Sequence, residues 1–149
     1  MLRGSHQAKI DEKGRLKLPT PFRAYIDEMW KTPSVYLTCD DSTGQYVRIY
    51  PMPVWEGIEE RLMKMPSTDP ARRRFQRWTS LYGQSTEIDA QNRLLIPPQL
   101  REPAAMQGDV VVLGQTHFLE VWNRDRFLGQ SDTQRLTDDD YRRLAEFGI

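Results

Sequence analysis

One fifteen-residue device occurs twice in this chain, and the repetition limits the folds open to it. "KIDEKGRLKLPTPFR" runs from Lys9 to Arg23, and "EIDAQNRLLIPPQLR" runs from Glu87 to Arg101, seventy-eight positions on. The two match at Ile10/Ile88, Asp11/Asp89, Arg15/Arg93, Leu16/Leu94, Pro19/Pro97 and Arg23/Arg101. A β unit this small buries too little surface to stand alone, so the two copies are expected to pack on each other.

The local chemistry repeats along with the letters. Leu16 and Leu18 alternate with Arg15 and Lys17, the period-two pattern of a half-buried strand. Gly14 stands just before Arg15, where a tight turn wants a residue that tolerates positive φ. Asn92 fills that position in the second copy and is the next most tolerant residue. Pro19 and Pro97 then stop the strands, because proline cannot donate to a central ladder. Thr20 and Pro21, as cap and first-turn proline, predict a short helix over 22–26, and Pro98 does the same for 99–102. Each copy next supplies two β-rich runs, "SVYLTC" with "QYVRIYP" and "DVVVLG" with "HFLEVWN". Helices over 54–65 and roughly 124–128 close the two copies.

Between the copies lies "STDPARRRFQRWTSLYG". Asp69 is a cap and Pro70 a first-turn residue, which predicts a helix over 71–82 with Phe75, Trp78 and Tyr82 on one face. The final segment has Thr137 as cap, acids in the first turn and Gly148 as a stop. The expected fold is a β-rich mixed α/β domain: two pseudo-twofold halves sharing one sheet or barrel core, with flanking helices. Its expected divisions are a first half over 1–66, an arginine-rich joint helix over 67–83, a second half over 84–130 and a tail over 131–149.

Composition narrows the function. An apolar share of 38% beside 28% charged residues is that of a soluble globule. No apolar run approaches the roughly 18 residues of a membrane span, and "MLRGSHQAK" lacks the apolar core of an export signal. Cys39 is the only cysteine, which excludes an internal disulfide and any zinc site of several thiolates and fits a reducing cytoplasm. The net charge is zero, but its distribution is uneven. Residues 1–23 carry Arg3, Lys9, Lys13, Arg15, Lys17 and Arg23 against Asp11 and Glu12. Residues 132–146 carry Asp132, Asp138, Asp139, Asp140 and Glu146 against Arg135, Arg142 and Arg143. Such a chain can be neutral in total and still present a strongly basic surface.

No enzyme signal emerges. Asp11, Asp89, Glu12 and Glu87 are carboxylates without partners, since His6 and His117 have no neighbour at metal-ligand spacing. There is no glycine-rich phosphate loop and no Ser-His-Asp order. No metal or cofactor is expected. Asp11 and Asp89 read instead as turn clamps with Gly14 and Asn92, accepting turn N–H groups or pairing with the arginine four positions on. For Arg15 and Arg93 the pattern leaves two readings open. Either they only satisfy those aspartates, or they project side by side for bidentate contact with guanine O6/N7 or phosphate. Lys13, Lys17, Arg3 and Lys9 would then neutralise further phosphates. Arg72, Arg73, Arg74 and Arg77 fit subunit or intrachain ion pairs better than DNA contacts. Trp55, Trp78 and Trp122 read as core or interface anchors, Cys39 as a small strand hydrophobe, and His6 as a weak phosphate candidate.

Taken together, "MLRGSHQAKIDEKGRLKLPTPFR", "IYPMPVWEGIEERL", the arginine-rich joint and "IDAQNRLLIPPQLR" closely resemble the MraZ family over about residues 1–130. These are bacterial DNA-binding transcriptional regulators of the AbrB-like swapped-hairpin type. The resemblance implies a cytoplasmic, nucleoid-associated protein that binds short repeated boxes in double-stranded DNA. Those boxes would lie upstream of the division and cell-wall gene cluster, its own promoter included. It also implies a ring-shaped homo-oligomer, octamer-like or larger, and carries the family motif onto Asp11 and Arg15 and onto Asp89 and Arg93. With uncharged Gln91 and Asn92 in the second loop, Arg93 is expected to contribute less than Arg15, which has Lys13 and Lys17 beside it in sequence.

Overall fold

The computed structural model describes residues 1–39, 45–130 and 135–149. The first copy forms β1 (Ser5–Ile10), β2 (Arg15–Lys17), α1 (Thr20–Trp30), β3 (Ser34–Thr38), β4 (Tyr46–Pro51) and α2 (Met52–Met63). After α3 (Pro70–Leu81) the second copy repeats that order as β5 (Gln84–Glu87), β6 (Arg93–Leu95), α4 (Pro98–Arg101), β7 (Gly108–Gly114), β8 (Leu119–Asn123) and α5 (Arg124–Gly129). Helix α6 (Asp138–Ala145) ends the described chain.

The strands make one antiparallel sheet in the order β5-β3-β4-β8-β7-β1-β2-β6. Neither copy keeps its strands to itself. The β1–β2 pair lies between β7 and β6 of the second copy, and β3–β4 lies between β5 and β8. Exchanging the copies maps this order onto itself only if its two ends also meet. They do, across the second turn, where the Asp89 N–H donates to the Arg93 carbonyl at 2.9 Å. Its counterpart in the first copy is Asp11 N–H to the Arg15 carbonyl, also 2.9 Å. The sheet is a nearly closed barrel of two interleaved AbrB-like halves.

Alternation decides which side chains enter the barrel. Leu16 and Leu94 lie directly opposite each other in β2 and β6 and are both buried, at 0% and 2% exposure. Leu18, Ile96, Val35, Leu37, Val110 and Val112 complete the same interior from both copies, with Phe22 and Ile26 of α1 packing against it. Helix α3 is held outside by hydrogen bonds to β3: Tyr36 OH donates to the Thr79 carbonyl at 2.6 Å, and the Thr38 hydroxyl to the Tyr82 carbonyl at 2.9 Å. Trp55 of α2 stacks on Tyr36, with centroids 4.4 Å apart and planes 3° apart.

Some local expectations need correction. Helix α1 runs eleven residues rather than five, ending only where Lys31 turns left-handed at φ 54°. Its counterpart α4 has four residues, because Pro103 lacks the N–H that a longer helix would need. Neither helix is capped by a side chain; Pro19 and Pro97 occupy the cap positions, with Thr20 and Pro98 already inside. At α3 the Asp69 carboxylate accepts from Ala71 N–H at 2.8 Å, and at α6 Thr137 and Asp140 form a reciprocal capping box. On α3 the buried residue is Thr79, while Phe75 is 39% exposed. Asp132, counted among the tail acids, lies outside the described residues.

Leu16 joins the copies at the centre of their shared seam, so its truncation should be felt by both. Leu16→Ala is expected to cost about 2–5 kcal/mol, as for other buried leucines. Denaturant unfolding followed at Trp55 and Trp122 should show one shifted transition. Two separate transitions would mean that the halves unfold independently.

Candidate nucleic-acid interface

The two turns are built alike, from the backbone outward. In the first, the Asp11 carboxylate accepts the N–H groups of Lys13 and Arg15, both at 2.9 Å. In the second, Asp89 accepts those of Gln91 and Arg93 at 2.8 and 2.9 Å. Gly14 at φ 83° and Asn92 at φ 62° supply the left-handed residue that such a turn requires. These bonds favour the charged carboxylate. The Arg15 N–H holds the Asp11 carboxyl below its usual range, with the Arg15 guanidinium adding to the effect, and the Arg93 N–H does the same for Asp89.

Strand pairing then sets the turns side by side. Arg15 faces Leu95 across the β2–β6 seam, and Lys17 faces Arg93. Because Leu16 and Leu94 point inward, all four of these neighbours belong to the outer face. Arg15 and Arg93 are diagonal on it, a relation that places Cα atoms about 7–8 Å apart. Two symmetric bonds lock the register beyond the strands: Leu18 N–H to the Asn92 carbonyl at 2.7 Å, and Ile96 N–H to the Gly14 carbonyl at 3.0 Å.

Arginines of the helices brace the turns crosswise. Arg23 of α1, oriented by Asp27 at 2.9 Å, donates to the Asp89 carbonyl of the second turn at 2.8 Å. Arg101 of α4 donates to the Ile96 carbonyl at 3.1 Å and reaches the Lys13 carbonyl of the first turn at 3.4 Å. Its guanidinium lies 1.5 Å from where a Cβ on Gly14 would sit, so a side chain there would displace this brace as well as strain the backbone at φ 83°. The Lys17 ammonium donates to the Gln91 carbonyl of the second turn. Lys17 therefore belongs in space to Arg93, although it neighbours Arg15 in sequence.

The arginines of the motif differ. Arg15 Nε donates to Asp11 at 2.8 Å, with both side chains about one-third exposed. The Arg93 side chain makes no hydrogen bond or ion pair among the described residues, which leaves its donors to solvent. Lys13 stands on the first turn and is exposed. Lys9 is exposed on β1 with Asp109 as its cross-strand neighbour. Arg3 is exposed too, but precedes β1 at the end of that strand remote from the turn. His6 does not join this face: its ring packs edge-on against Phe22, 5.0 Å between centroids. Half-exposed Leu95 (49%) sits among the cations, where the first copy has Lys17. The braces Arg23 and Arg101 were visible in the sequence only as a matched pair of the repeat, with nothing to show that each serves the other's turn.

Other expectations fall elsewhere. Arg72 donates to the Met65 carbonyl at 2.5 Å, an intrachain contact, whereas Arg73, Arg74 and Arg77 make no side-chain hydrogen bond or ion pair among the described residues. Trp55 and Trp122 are buried, Trp78 is half-buried with its Nε1 on the Cys39 carbonyl at 3.2 Å, and Cys39 itself packs against the core.

Comparison with known proteins decides the family. The model of the family described as "MraZ protein, putative antitoxin-like" matches residues 1–78 and 83–147. The chain belongs to the MraZ family. Among its relatives, the transcriptional regulator MraZ of Acidobacterium capsulatum is 42% identical, with the whole of each chain covered. Those of Koribacter versatilis and Tolumonas auensis are 36% and 35% identical, again over the full length of both chains. Within the MraZ family fold, the doubled Asp-x-x-x-Arg motif of this chain maps onto one seam of the barrel.

The carboxylate clamps carry a pH dependence whose sign follows from the folded state binding the charged form. The clamps hold above the ordinary aspartate pKa of about 3.9 and open only as pH falls through the lower folded values. Carboxyl-carbon NMR titrations of Asp11 and Asp89 should both have midpoints below about 3.9. A midpoint at or above that value would mean that the turn bonds are not formed in solution.

Proposed function

We propose that the paired turns of the β2–β6 seam bind double-stranded DNA, and that the chain is a sequence-specific transcriptional regulator. The carrying observation is the register that sets Arg15, Lys17 and Arg93 on one outward face, with Lys13 on the adjoining turn. In each aspartate one carboxylate oxygen accepts two backbone N–H groups, which keeps the turns rigid while the cations point outward. Planar guanidinium forks on a fixed turn suit guanine O6/N7 or phosphate oxygens, and the lysines act as point charges on phosphate. Relatives bearing the name transcriptional regulator MraZ support the regulatory reading. The targets in this reading are short repeated boxes upstream of the division and cell-wall cluster, met by a ring-shaped homo-oligomer that offers several seams to tandem boxes. The protein then works in the cytoplasm, at the nucleoid.

A second reading, in which the arginines only lock their turns, draws on the Asp11–Arg15 ion pair. Arg93 argues against it, because its turn is complete without its side chain.

Mobility shift on a promoter fragment with tandem repeats separates the two. If the seam meets phosphates, log K should fall with log salt by about 0.9 for each one neutralised. Lys13→Ala should weaken all sequences alike and make that slope shallower by about one. Arg15→Ala should also cost about 1–3 kcal/mol of discrimination against a scrambled box if its fork reads guanine. Since Lys17 stands beside Arg93, the loss at Arg93→Ala should equal or exceed that at Arg15→Ala, reversing the order expected from sequence neighbours. Unchanged shifts in both arginine variants would refute the DNA-binding role of the seam.

A further inference from the structure

Two unpartnered surfaces of this chain are complementary, and neither belongs to the seam. The first is α6, of which no residue is buried. Tyr141 and Leu144 are three residues apart and so share a face; Tyr141 is 59% exposed, and Phe147 and Ile149 beyond the helix are 69% and 81% exposed. On the other side of the helix, charges are paired within α6 and its end, Asp139 with Arg142 at 2.6 Å and Arg143 with Glu146. Asp138 falls on the flank of the apolar face and makes no side-chain ion pair among the described residues. This face is apolar with an acidic margin.

The second surface is a cleft of about 370 Å3 between α3 and the β3–β4 strands, beside α2. Trp55, Phe75, Trp78 and Tyr50 form its walls, and Arg48 and Arg74 supply its charge. No carboxylate lines it among the described residues; Glu59 belongs to a neighbouring groove that shares the Trp55–Phe75 wall. The Arg74 guanidinium has no hydrogen bond or ion pair among the described residues. Aromatic walls beside an Arg74 that has no partner among the described residues call for an occupant that is apolar and anionic.

We propose that α6 of a second copy of this chain docks in this cleft, with Tyr141 among the aromatic walls and Asp138 against Arg74. Both surfaces are fully formed on one chain and do not meet there, so each copy has one donor and one acceptor to offer. A contact between unlike patches is head-to-tail, and it closes a ring when the rotation permits. The inference extends the proposed self-assembly by naming the segment that makes the joint, and it does not depend on DNA.

Charge exchange tests it, with mass measured by sedimentation velocity over a dilution series. Arg74→Asp and Asp138→Arg should each raise the dissociation midpoint by about tenfold or more, as should Tyr141→Ser. Both charge variants alter exposed positions, and an unchanged circular dichroism spectrum will confirm that they fold. Mixing the two charge variants should restore assembly, because a reversed helix then meets a reversed cleft on another chain. Restoration in the double variant but not in the mixture would place the helix on its own chain and overturn the proposal. Wild-type mass in Arg74→Asp at every dilution would overturn it too, and loss of DNA shift alongside that unchanged mass would reassign Arg74 to nucleic acid. A wild-type chain that is only ever a monomer would sink both this joint and the ring; an oligomer indifferent to all three changes sinks the joint alone.

Discussion

Three residue pairs, Arg15–Leu95, Leu16–Leu94 and Lys17–Arg93, hold the rest of the architecture in register. A short antiparallel pairing is weak by itself, yet here it is flanked by two backbone bonds and backed by two buried leucines. Its geometry fixes both faces of the seam at once. A slip of one residue in either strand would turn its leucine out to solvent and drive its basic side chain into the core. The outward display of cations is thus enforced by the hydrophobic interior rather than by any interaction among the cations, which repel one another.

The near-symmetry of the seam makes its departures informative. Lys17 and Leu95 occupy equivalent places, and the lysine reaches across to the opposite turn while the leucine stays half-exposed. Arg15 is tied to its aspartate and Arg93 is not. Helix α3 carries three arginines that make no side-chain hydrogen bond or ion pair among the described residues, whereas α6, which follows the second copy, pairs Arg142 with Asp139 and Arg143 with Glu146. The copies have kept the bonds that shape their turns and have diverged in what those turns present.

What was legible in the sequence follows from how locally it is encoded. The positive-φ residues, the Asp clamps, the alternation around Leu16 and the caps at Asp69 and Thr137 each depend on a few adjacent residues, and all are found in place. The order of elements in the two copies was legible for the same reason. Contacts across seventy-eight positions were not. Nothing near Arg23 or Arg101 announces a carbonyl on the other copy's turn, and Lys17 looks like a neighbour of Arg15 until strand pairing sets it against Arg93. The length of α1 was missed because Lys31 accepts a left-handed φ that glycine would have signalled. His6 shares the inward face of β1 with Ala8 and Ile10, but its contact with Phe22 is set by a helix whose position the strand does not encode.

The interleaving of strands also bears on how such a chain can reach its native state. Each hairpin, β1–β2 or β3–β4, finds its outer neighbours only in the other copy, so neither half has a finished sheet to fold onto. Most of the ladder must wait until segments far apart in sequence have met, which places this barrel among topologies that fold slowly for their size. On the ribosome, the first copy emerges with the edges of its strands unpaired until β5 to β8 have followed. Two nascent chains held close together can then pair each other's strands as readily as their own, because four of the seven pairings in the sheet already join one copy to the other.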